Sequence, residues 1–346
     1  MSNSEEVQIR EILSKVPYPG FQRDIVSFGV VRGIITNPSI VVQLVIATND
    51  AGVARELQQR VSKALAVLPQ GHEAKVLVDV QAPVQSSGQG PVAIPGVRNI
   101  VAVASGKGGV GKSTVAVNLA ASLAALGMKT GLCDCDLYGP SVAMMCGADG
   151  RPSADDQGNI LPVERHGFRL MSMGLLLEDD SPAVLRGPMV TRYTQQFLRN
   201  VAWGELDVLV LDLPPGTGDI QLTIVQTIPL TGALIVTTPQ EIALIDARKA
   251  VSMFQKTNVP ILGVLENMAY FVSPGDSIRH EIFGSGGGER ESSRLGVPFL
   301  GSLPLDPAIR IAADSGTPHV VSDPASTASR LISTVAAGIV QRIGKN

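Results

Sequence analysis

The chain has 346 residues, of which 45% are hydrophobic and 17% are charged, and its formal net charge is -3. This composition predicts a globular protein with a sizeable core and room for a second, small domain. The slightly acidic balance provides no general electrostatic field for holding nucleic acid or an acidic membrane surface. The sequence therefore disfavours polyanion partners.

The N-terminal sequence has neither a basic start nor an apolar signal core, and no apolar run approaches the roughly 20 residues that a membrane-spanning helix needs. We therefore expect a cytoplasmic protein without a membrane partner. The three cysteines, Cys133, Cys135 and Cys146, are too few for a secreted disulfide framework and are expected to stay reduced.

The first 82 residues have the pattern of a compact α+β module. Apolar residues recur at helical spacing between Val7 and Val16, and two predicted strands, at residues 24–36 and 39–48, flank a turn at Pro38. A helix over residues 51–68 and a strand over 74–80 complete the module. We place this domain at residues 1–82, followed by a linker rich in Pro, Gly and Ser at 83–97.

Strands and helices alternate across residues 98–346, which we assign to a second domain. The predicted strands are nearly continuous apolar runs, at residues 99–105, 129–136, 206–214, 232–239 and 261–268. Predicted helices at 114–127 and 243–257 separate members of this series, and an amphipathic C-terminal helix is expected to pack on the sheet. The pattern predicts the α/β class, with a mostly parallel sheet covered by helices on both faces.

Residues 105–114, SGKGGVGKST, lie between a predicted strand and a predicted helix and match the phosphate-loop pattern G-x-x-x-x-G-K-[ST]. Glycines in such a loop let backbone amides surround phosphate oxygens, and the helix N-terminus adds partial positive charge. Lys112 is expected to reach the β- and γ-phosphates of ATP, and Ser113 to ligate Mg²⁺. The expected nucleotide contacts are Gly106, Gly108, Gly109, Val110, Gly111, Lys112, Ser113 and Thr114.

Three acidic residues follow apolar strands at the edge where open α/β sheets bind ligands. Asp212 ends an apolar strand in LDVLVLDLPPGTGD, where a carboxylate holds Mg²⁺ through water in a Walker B element. Asp134 and Asp136 lie at the end of an earlier strand, in CDCDLYGPS, and one of them is expected to position the attacking water. Thr217, between two glycines, suits a loop that senses the γ-phosphate.

Together these motifs are similar to those of a known family. The segments GKGGVGKST, DxDLYGPS, LDLPPGTGD, VTTPQEIALIDARKA and ENMAYF resemble the Mrp (ApbC-type) P-loop ATPases, which carry iron–sulfur clusters and belong to the deviant Walker A group. The resemblance covers residues 99–346, and the N-terminal module resembles the iron–sulfur assembly domain often fused to them. It implies a P-loop NTPase fold, ATP hydrolysis, a homodimer, and iron–sulfur scaffold and acceptor apoproteins as partners.

The resemblance also implies roles for further residues. Lys107, the additional lysine of the loop, would reach across a nucleotide-sandwich dimer to the phosphates bound by the other subunit; a solvated loop lysine is the alternative. Asn267 would hydrogen-bond the base of the nucleotide, and a buried structural amide is the alternative. Asp246 and Arg248 are assigned to packing and dimer contacts.

The sequence departs from the family where many members have a C-P-x-C pair, which bridges a four-iron four-sulfur cluster between two subunits. Ser273 and Asp276 stand at those positions. Neither a hydroxyl nor a carboxylate is a good ligand for such a cluster. Three interpretations remain: the protein binds a cluster through other groups, acts on clusters held by partners, or has another cargo.

The three cysteines do not restore that site. Cys133 and Cys135 alternate with two carboxylates on a strand end and are expected to pack in the core. Cys146 is expected to be better exposed, and a pair of Cys146 thiols across a dimer is the candidate cluster ligand. The sequence thus predicts an ATP-hydrolysing carrier that transfers iron–sulfur clusters to apoproteins. The alternative is an ATP-switched adaptor or scaffold without its own cluster.

Overall fold

A computed structural model describes residues 2–17, 24–26, 30–36, 40–47, 51–68, 74–81, 91–136, 139–150, 152–155, 159–175, 198, 200–273, 275 and 277–344. The chain divides into two compact units, Met1–Gln89 and Gly90–Asn346. Each unit has its own hydrophobic core. Within these ranges, no helix is both long enough and apolar enough to cross a bilayer.

The first unit combines two helices with a three-stranded sheet. The elements are α1 (Ser2–Leu13), β1 (Val31–Ile35), β2 (Val41–Ala47), α2 (Ala51–Leu65) and β3 (Lys75–Gln81). The sheet order is β1-β2-β3, with β1 antiparallel and β3 parallel to β2. Its core contains Ile9, Leu13, Val42, Leu44, Leu57, Val61 and Val76. The turn predicted at Pro38 lies outside the described residues.

The second unit is built around an eight-stranded sheet. Its strands are β4 (Val97–Ala104), β5 (Thr130–Asp134), β6 (Val163–Arg165), β7 (Phe168–Ser172), β8 (Leu206–Asp212), β9 (Gly232–Thr237), β10 (Ile261–Glu266) and β13 (Phe299–Ser302). A separate hairpin consists of β11 (Phe271–Val272) and β12 (Arg279–His280). The sheet order is β13-β10-β9-β4-β8-β5-β7-β6, and all neighbours are parallel except β6 and β7.

The described helices of this unit are α3 (Lys112–Ala125), α4 (Val142–Met145), α5 (Asp219–Thr227), α6 (Glu241–Lys256), α7 (Gly287–Leu295), α8 (Pro307–Asp314), α9 (His319–Ser322) and α10 (Thr327–Ile343). The crossover through α3 runs from β4 toward β5, whereas the crossover through α6 runs from β9 toward β10 on the other side of β4. Because parallel crossovers are right-handed, opposite directions place the two helices on opposite faces.

The strand burial agrees with this two-layer cover, since every residue of β5 and of β9 is buried. Strands buried on both faces need no alternation of apolar and polar residues, which explains the continuous apolar runs in the sequence. The C-terminal helix α10 packs against α3 and buries Ile332, Val335 and Ile339. The predicted α/β class and mostly parallel sheet are confirmed.

The second unit begins earlier than the sequence suggests. The amide of Val92 donates to the carbonyl of Thr227 at 3.0 Å, Ile94 is buried, and β4 begins at Val97. The C-terminal part of the proposed linker, residues 91–97, is therefore packed on the second unit. Apolar Ile94 anchors it there, although its Pro and Gly neighbours have the composition of a linker. Residues 82–90 lie outside the described ranges.

A second glycine-rich segment, residues 284–288, leads into helix α7. Glu266, the last residue of β10, is buried, and its Oε2 accepts a hydrogen bond from the amide of Gly288 at 2.5 Å. The other carboxylate oxygen accepts from the hydroxyl of Ser302 at 3.2 Å. A side-chain carboxylate at this position compensates the positive end of the helix dipole. Glu266 thus fixes the start of α7 against the sheet.

Candidate nucleotide-binding site

The loop between β4 and α3 lies at the carboxyl edge of the sheet. Gly109 and Gly111 have φ values of 80° and 81°, a region that glycine adopts without the penalty of a Cβ. A Cβ on Gly106 would lie 2.1 Å from the carbonyl of Asp246, so this glycine permits close approach of α6. The loop lines a cleft of about 210 Å³ together with Ser113 and Thr114. Its backbone has the form of a phosphate cradle.

Lys112, the first residue of α3, points to the end of β8. Its Nζ lies 2.5 Å from Oδ1 of Asp212 and 3.4 Å from the hydroxyl of Ser113. Both charged side chains are buried, at 6% and 0% exposure. Burial raises the pKa of Asp212, while the adjacent Lys112 ammonium opposes that shift. The Lys112 ammonium and the Asp212 carboxylate therefore neutralise each other at the base of the loop.

The other carboxylate oxygen of Asp212, Oδ2, is buried and has no hydrogen-bond partner among the described residues. An unpaired buried oxygen of a charged group is costly. A carboxylate oxygen beside the hydroxyl of Ser113 is the hard donor set that Mg²⁺ prefers, with water and phosphate oxygens completing the shell. These two residues therefore fit a magnesium ion.

The two carboxylates at the end of β5 lie in different surroundings. Asp134 is fully buried, and its oxygens accept from the amide of Asp136 at 3.0 Å, the amide of Val142 at 3.2 Å and the hydroxyl of Ser172 at 2.9 Å. Burial and the nearby charge of Asp212 raise the pKa of Asp134 to about 7. Asp136 is half-buried and lines the cleft. The structure thus brings Asp136, not Asp134, to the cleft.

Lys107 also lines the cleft, and its carbonyl accepts a hydrogen bond from the hydroxyl of Ser105 at 2.9 Å. The Lys107 side chain is half-buried, and no ion pair within the described ranges involves it. An ammonium held at the cleft without a carboxylate partner is available to phosphate. The implied contact across a dimer stays a prediction.

Asn267 follows β10 and supports the loop from its side. Its Nδ2 donates to the carbonyl of Val110 at 2.9 Å, and the side chain is buried. A Cβ on Gly111 would lie 2.2 Å from the same nitrogen, so the position of the Asn267 side chain requires a glycine at 111. In this geometry Asn267 has the position of a structural amide, and its contact with a base stays a prediction.

Asp246 and Arg248 lie on α6, and each forms ion pairs with other residues of the same chain. Asp246 accepts from Lys249 at 2.8 Å, and Arg248 donates to Glu291 at 2.6 Å and to Glu241 at 2.9 Å. These hydrogen bonds raise the pKa of the Arg248 guanidinium, mainly through Glu291. Arg248 thus connects α6 to α7. These contacts support the predicted packing role of Asp246 and Arg248, whereas their predicted dimer contacts stay a prediction.

All three cysteines are buried. The Sγ atoms of Cys133 and Cys135 lie 4.0 Å apart in the core, which confirms their predicted packing role. Cys146 is 0% exposed, so its expected exposure is wrong. The turn between β6 and β7 covers this region, because Nε2 of His166 hydrogen-bonds the carbonyl of Cys146 at 3.0 Å. Burial raises the pKa of the Cys146 thiol to about 12, which disfavours the thiolate that a cluster needs.

The hairpin β11–β12 occupies the position where the family resemblance implies cluster ligands. The amide of Ser273 donates to the carbonyl of Ile278 at 3.0 Å, and Asp276 lies outside the described residues. Arg279 stacks over the Tyr270 ring at 3.8 Å, and the next residues, His280 and Glu281, are exposed. Within the described part of the chain, no three His, Cys, Asp or Glu side chains are grouped as metal ligands.

A larger cavity, of about 390 Å³, lies at the opposite edge of the sheet, next to Thr130, Phe168 and Leu206. These residues are at the amino ends of β5, β7 and β8. Open α/β sheets bind ligands at the carboxyl edge. The smaller cleft at the loop is therefore the candidate nucleotide site, because it has the glycine loop and the Lys112–Asp212 pair.

Sequence reasoning missed Ser172, which hydrogen-bonds Asp134 from the neighbouring strand. Strand β7 was not among the predicted strands, because FRLMS is short and includes a charged residue, although the turn at His166 and Gly167 directly precedes it. Only the pairing of β7 with β5 brings Ser172 opposite Asp134. No signal within the sequence would have indicated this residue.

Comparisons with known proteins agree with the geometry. A family model described as ParA: NUBPL iron-transfer P-loop NTPase matches residues 96–340. Proteins named iron-sulfur cluster carrier protein are 41% identical in Synechocystis, over 96% of both chains, and 45% identical in Deinococcus radiodurans, over 96% of this chain and 93% of that one.

Solved structures give the same result for the fold. A nucleotide-binding protein from Archaeoglobus fulgidus in complex with ADP is 38% identical, with a TM-score of 0.57 over 64% of this chain and 88% of that one. The Pyrococcus furiosus cell division ATPase MinD, 23% identical, has a TM-score of 0.55 over 70% of this chain and 99% of that one, and supports the fold alone. The glycine loop, the buried Lys112–Asp212 pair and the matched family model lead to one conclusion: the chain belongs to the NUBPL iron-transfer P-loop NTPases of the ParA group.

Proposed function

We propose that this protein is an ATP-hydrolysing iron–sulfur cluster carrier and assembly factor, which binds clusters and transfers them to apoproteins. The observation that carries the proposal is the buried Lys112–Asp212 pair beneath a glycine loop. The cargo is inferred from relatives named as cluster carriers, whose similarity extends over 96% of this chain.

Phosphate binding is the task of the loop. Its backbone amides and the N-terminus of α3 bind phosphate oxygens, and Lys112 neutralises the β- and γ-phosphates. Ser113 and Asp212 would hold Mg²⁺, which supplies positive charge to the phosphate oxygens when it is bound. The ADP in the Archaeoglobus fulgidus protein supports this nucleotide assignment.

Hydrolysis requires a positioned water and stabilisation of the charge that develops on the transferred phosphate. Asp136 lines the cleft and orients the water. Lys107 reaches the phosphates of a second copy of the chain, so that ATP is enclosed in a homodimer. Thr217, in the loop after β8, responds to the γ-phosphate and links hydrolysis to the release of cargo.

The cargo is a four-iron four-sulfur cluster, with iron–sulfur scaffold and acceptor apoproteins as partners in the cytoplasm. The described residues of one chain do not supply a thiolate set for it, because all three cysteines are buried. Ligands for the cluster would have to come from the hairpin region around Ser273, from a partner, or from a rearranged chain.

A second candidate function follows from the same burial. The protein would be an ATP-switched adaptor or scaffold that brings cluster donors and acceptors together without binding a cluster itself. A lack of accessible thiols favours this function. It uses the same nucleotide site, so only the iron content of the protein separates the two candidates.

The test is anaerobic reconstitution of the full chain with iron and sulfide. Iron and sulfide per dimer, the visible spectrum and transfer to an apo-ferredoxin are measured, together with ATP hydrolysis. Stoichiometric iron that moves to the acceptor supports the carrier. ATP hydrolysis without bound iron would leave the adaptor, and an absence of hydrolysis would overturn the proposed ATPase.

A further inference from the structure

Three polar residues lie at the same level of three adjacent strands. Asp134 of β5 is paired in register with Asp212 of β8 on one side and with Ser172 of β7 on the other. Asp212 binds Lys112 and therefore belongs to the phosphate site. Ser172 is at the far end of this row, away from the cleft, and its hydroxyl makes no contact with the phosphate loop that the structure records.

The direction of the Ser172 hydrogen bond is fixed by its surroundings. The Ser172 oxygen accepts from the amide of Gly174 at 3.1 Å, and lies 2.9 Å from Oδ2 of Asp134. A hydroxyl has one proton to donate. That proton goes to Asp134, and the side chain is held from both sides in a fully buried position.

Asp134 connects the two ends of the loop that carries Asp136. One oxygen accepts from the amide of Asp136 at 3.0 Å, and the other accepts from the amide of Val142, at the start of α4, at 3.2 Å. Asp136 and Ser141, within this loop, both line the cleft. The orientation of one buried carboxylate therefore sets the backbone positions of Asp136 and Val142 relative to β5.

We propose that Ser172 is a positioning residue for ATP hydrolysis, which acts through Asp134 to hold Asp136 in place for the attacking water. The inference depends on the proposed function, since it assigns a part of the hydrolytic step. The amides of Asp136 and Val142 each hold one oxygen of the carboxylate, and the Ser172 hydroxyl adds a second donor to the oxygen that Val142 contacts, which further restricts rotation about the terminal torsion.

The expected effect is on turnover rather than on nucleotide binding. Ser172 does not line the cleft, so Ser172→Ala should leave the Kd for a fluorescent ADP analogue and the KM for ATP within about twofold of wild type. A small displacement of a water-orienting group is costly, and kcat should fall by about tenfold or more. Ser172→Thr retains the hydroxyl and should restore most of the lost kcat.

Ser122→Ala is the matched control. Ser122 is a buried serine of α3 whose hydroxyl has no hydrogen-bond partner among the described residues. Ser122→Ala therefore removes an equivalent buried hydroxyl without breaking a hydrogen bond. Its kcat should equal that of wild type. Circular dichroism and analogue binding establish that each variant is folded.

Wild-type hydrolysis is measured first. If wild type hydrolyses no ATP, the proposed function and this inference are both overturned. If wild type is active and Ser172→Ala has the same kcat, the inference alone fails. It also fails if Ser172→Ala and Ser172→Thr lose nucleotide binding and turnover together, because that result indicates a structural role only.

Discussion

Lys112 Nζ and Asp212 Oδ1 are 2.5 Å apart and join the first residue of α3 to the last residue of β8. Both side chains are almost completely removed from solvent. A buried pair of this kind gains little over two apolar residues, but the loss of one partner leaves an uncompensated charge. The pair is therefore better explained by nucleotide binding than by stability.

Replacing Lys112 tests this explanation. Lys112→Met should abolish ATP binding and should lower the free energy of unfolding by about 3–5 kcal/mol, because the Asp212 carboxylate is left buried without its cation. Fluorescence of Trp203, the single tryptophan, reports unfolding of the second unit, since its side chain is buried there. Denaturant titration gives the stability, and a fluorescent analogue gives the affinity.

The double variant Lys112→Met/Asp212→Asn separates the two effects. Removal of both charges should recover most of the lost stability, since a neutral pair has no uncompensated charge. ATP binding should remain absent. A double variant that binds ATP normally would contradict the assignment of Lys112 to the phosphates.

Lys107 is expected to act on turnover. Lys107→Ala should retain ATP binding within about threefold and lose at least about a hundredfold in kcat, the scale of a residue that neutralises charge in the transition state. Lys129→Ala, which removes an exposed lysine at the opposite edge of the sheet, is the control. Steady-state hydrolysis at saturating ATP gives kcat for both variants. An unchanged kcat in Lys107→Ala would mean that Lys107 is a solvated loop lysine.

Two loop glycines with nearly equal φ values provide a matched pair. Gly109→Ala adds a methyl group to open space, whereas Gly111→Ala places it 2.2 Å from Nδ2 of Asn267. Both should cost about 1–2 kcal/mol for the left-handed backbone, and only Gly111→Ala should also displace Asn267 from the Val110 carbonyl. Unfolding titrations and ADP affinity should therefore show a larger loss for Gly111→Ala. Equal losses would mean that the Asn267 contact contributes nothing.

Cys146 should resist alkylation in the folded protein. Burial raises its pKa to about 12, so the thiol is protonated at lower pH and the thiolate fraction falls further as pH decreases. At pH 8 it is about one in ten thousand. Iodoacetamide and mass spectrometry should find Cys146 unmodified up to pH 9, and modified in concentrated guanidinium chloride.

Cluster reconstitution provides a second measurement on the same residue. Cys146→Ala should have the iron content of wild type, because a buried protonated thiol is not a ligand. Rapid labelling of Cys146 at pH 8, or iron lost only in Cys146→Ala, would restore it as a cluster ligand.

The sequence predicted the parts of the fold that repeat a strong local pattern. Apolar runs indicated β4, β5, β8, β9 and β10, and the glycine loop with Lys112 indicated the position of the phosphate site. Local pattern was insufficient for β7 and β13, which are short and include charged or glycine residues, and which depend on pairing with β5 and β10. Strands of this kind are defined by tertiary context.

For the candidate site too, local pattern predicted some features, and the others depend on tertiary contacts. The spacing of Asp134 and Asp136 places both at the end of β5, but it does not distinguish the carboxylate that lines the cleft from the one that holds the loop. That distinction depends on Ser172, which is distant in sequence, and on Val142, the first residue of α4. The exposure of Cys146 was wrong for a related reason, since the turn that contains His166 covers it.

The position of Glu266 affects which helix N-terminus of the second unit is open to phosphate. The chain has two glycine-rich segments that open into helices, and bare helix N-termini attract any small anion. At α7 the protein supplies its own anion, since the Glu266 carboxylate already accepts from the amide of Gly288. At α3 the first side chain is a cation, Lys112, which pairs with Asp212. Of the two helix starts, α7 is therefore expected to compete poorly for phosphate, and we expect nucleotide to bind at α3.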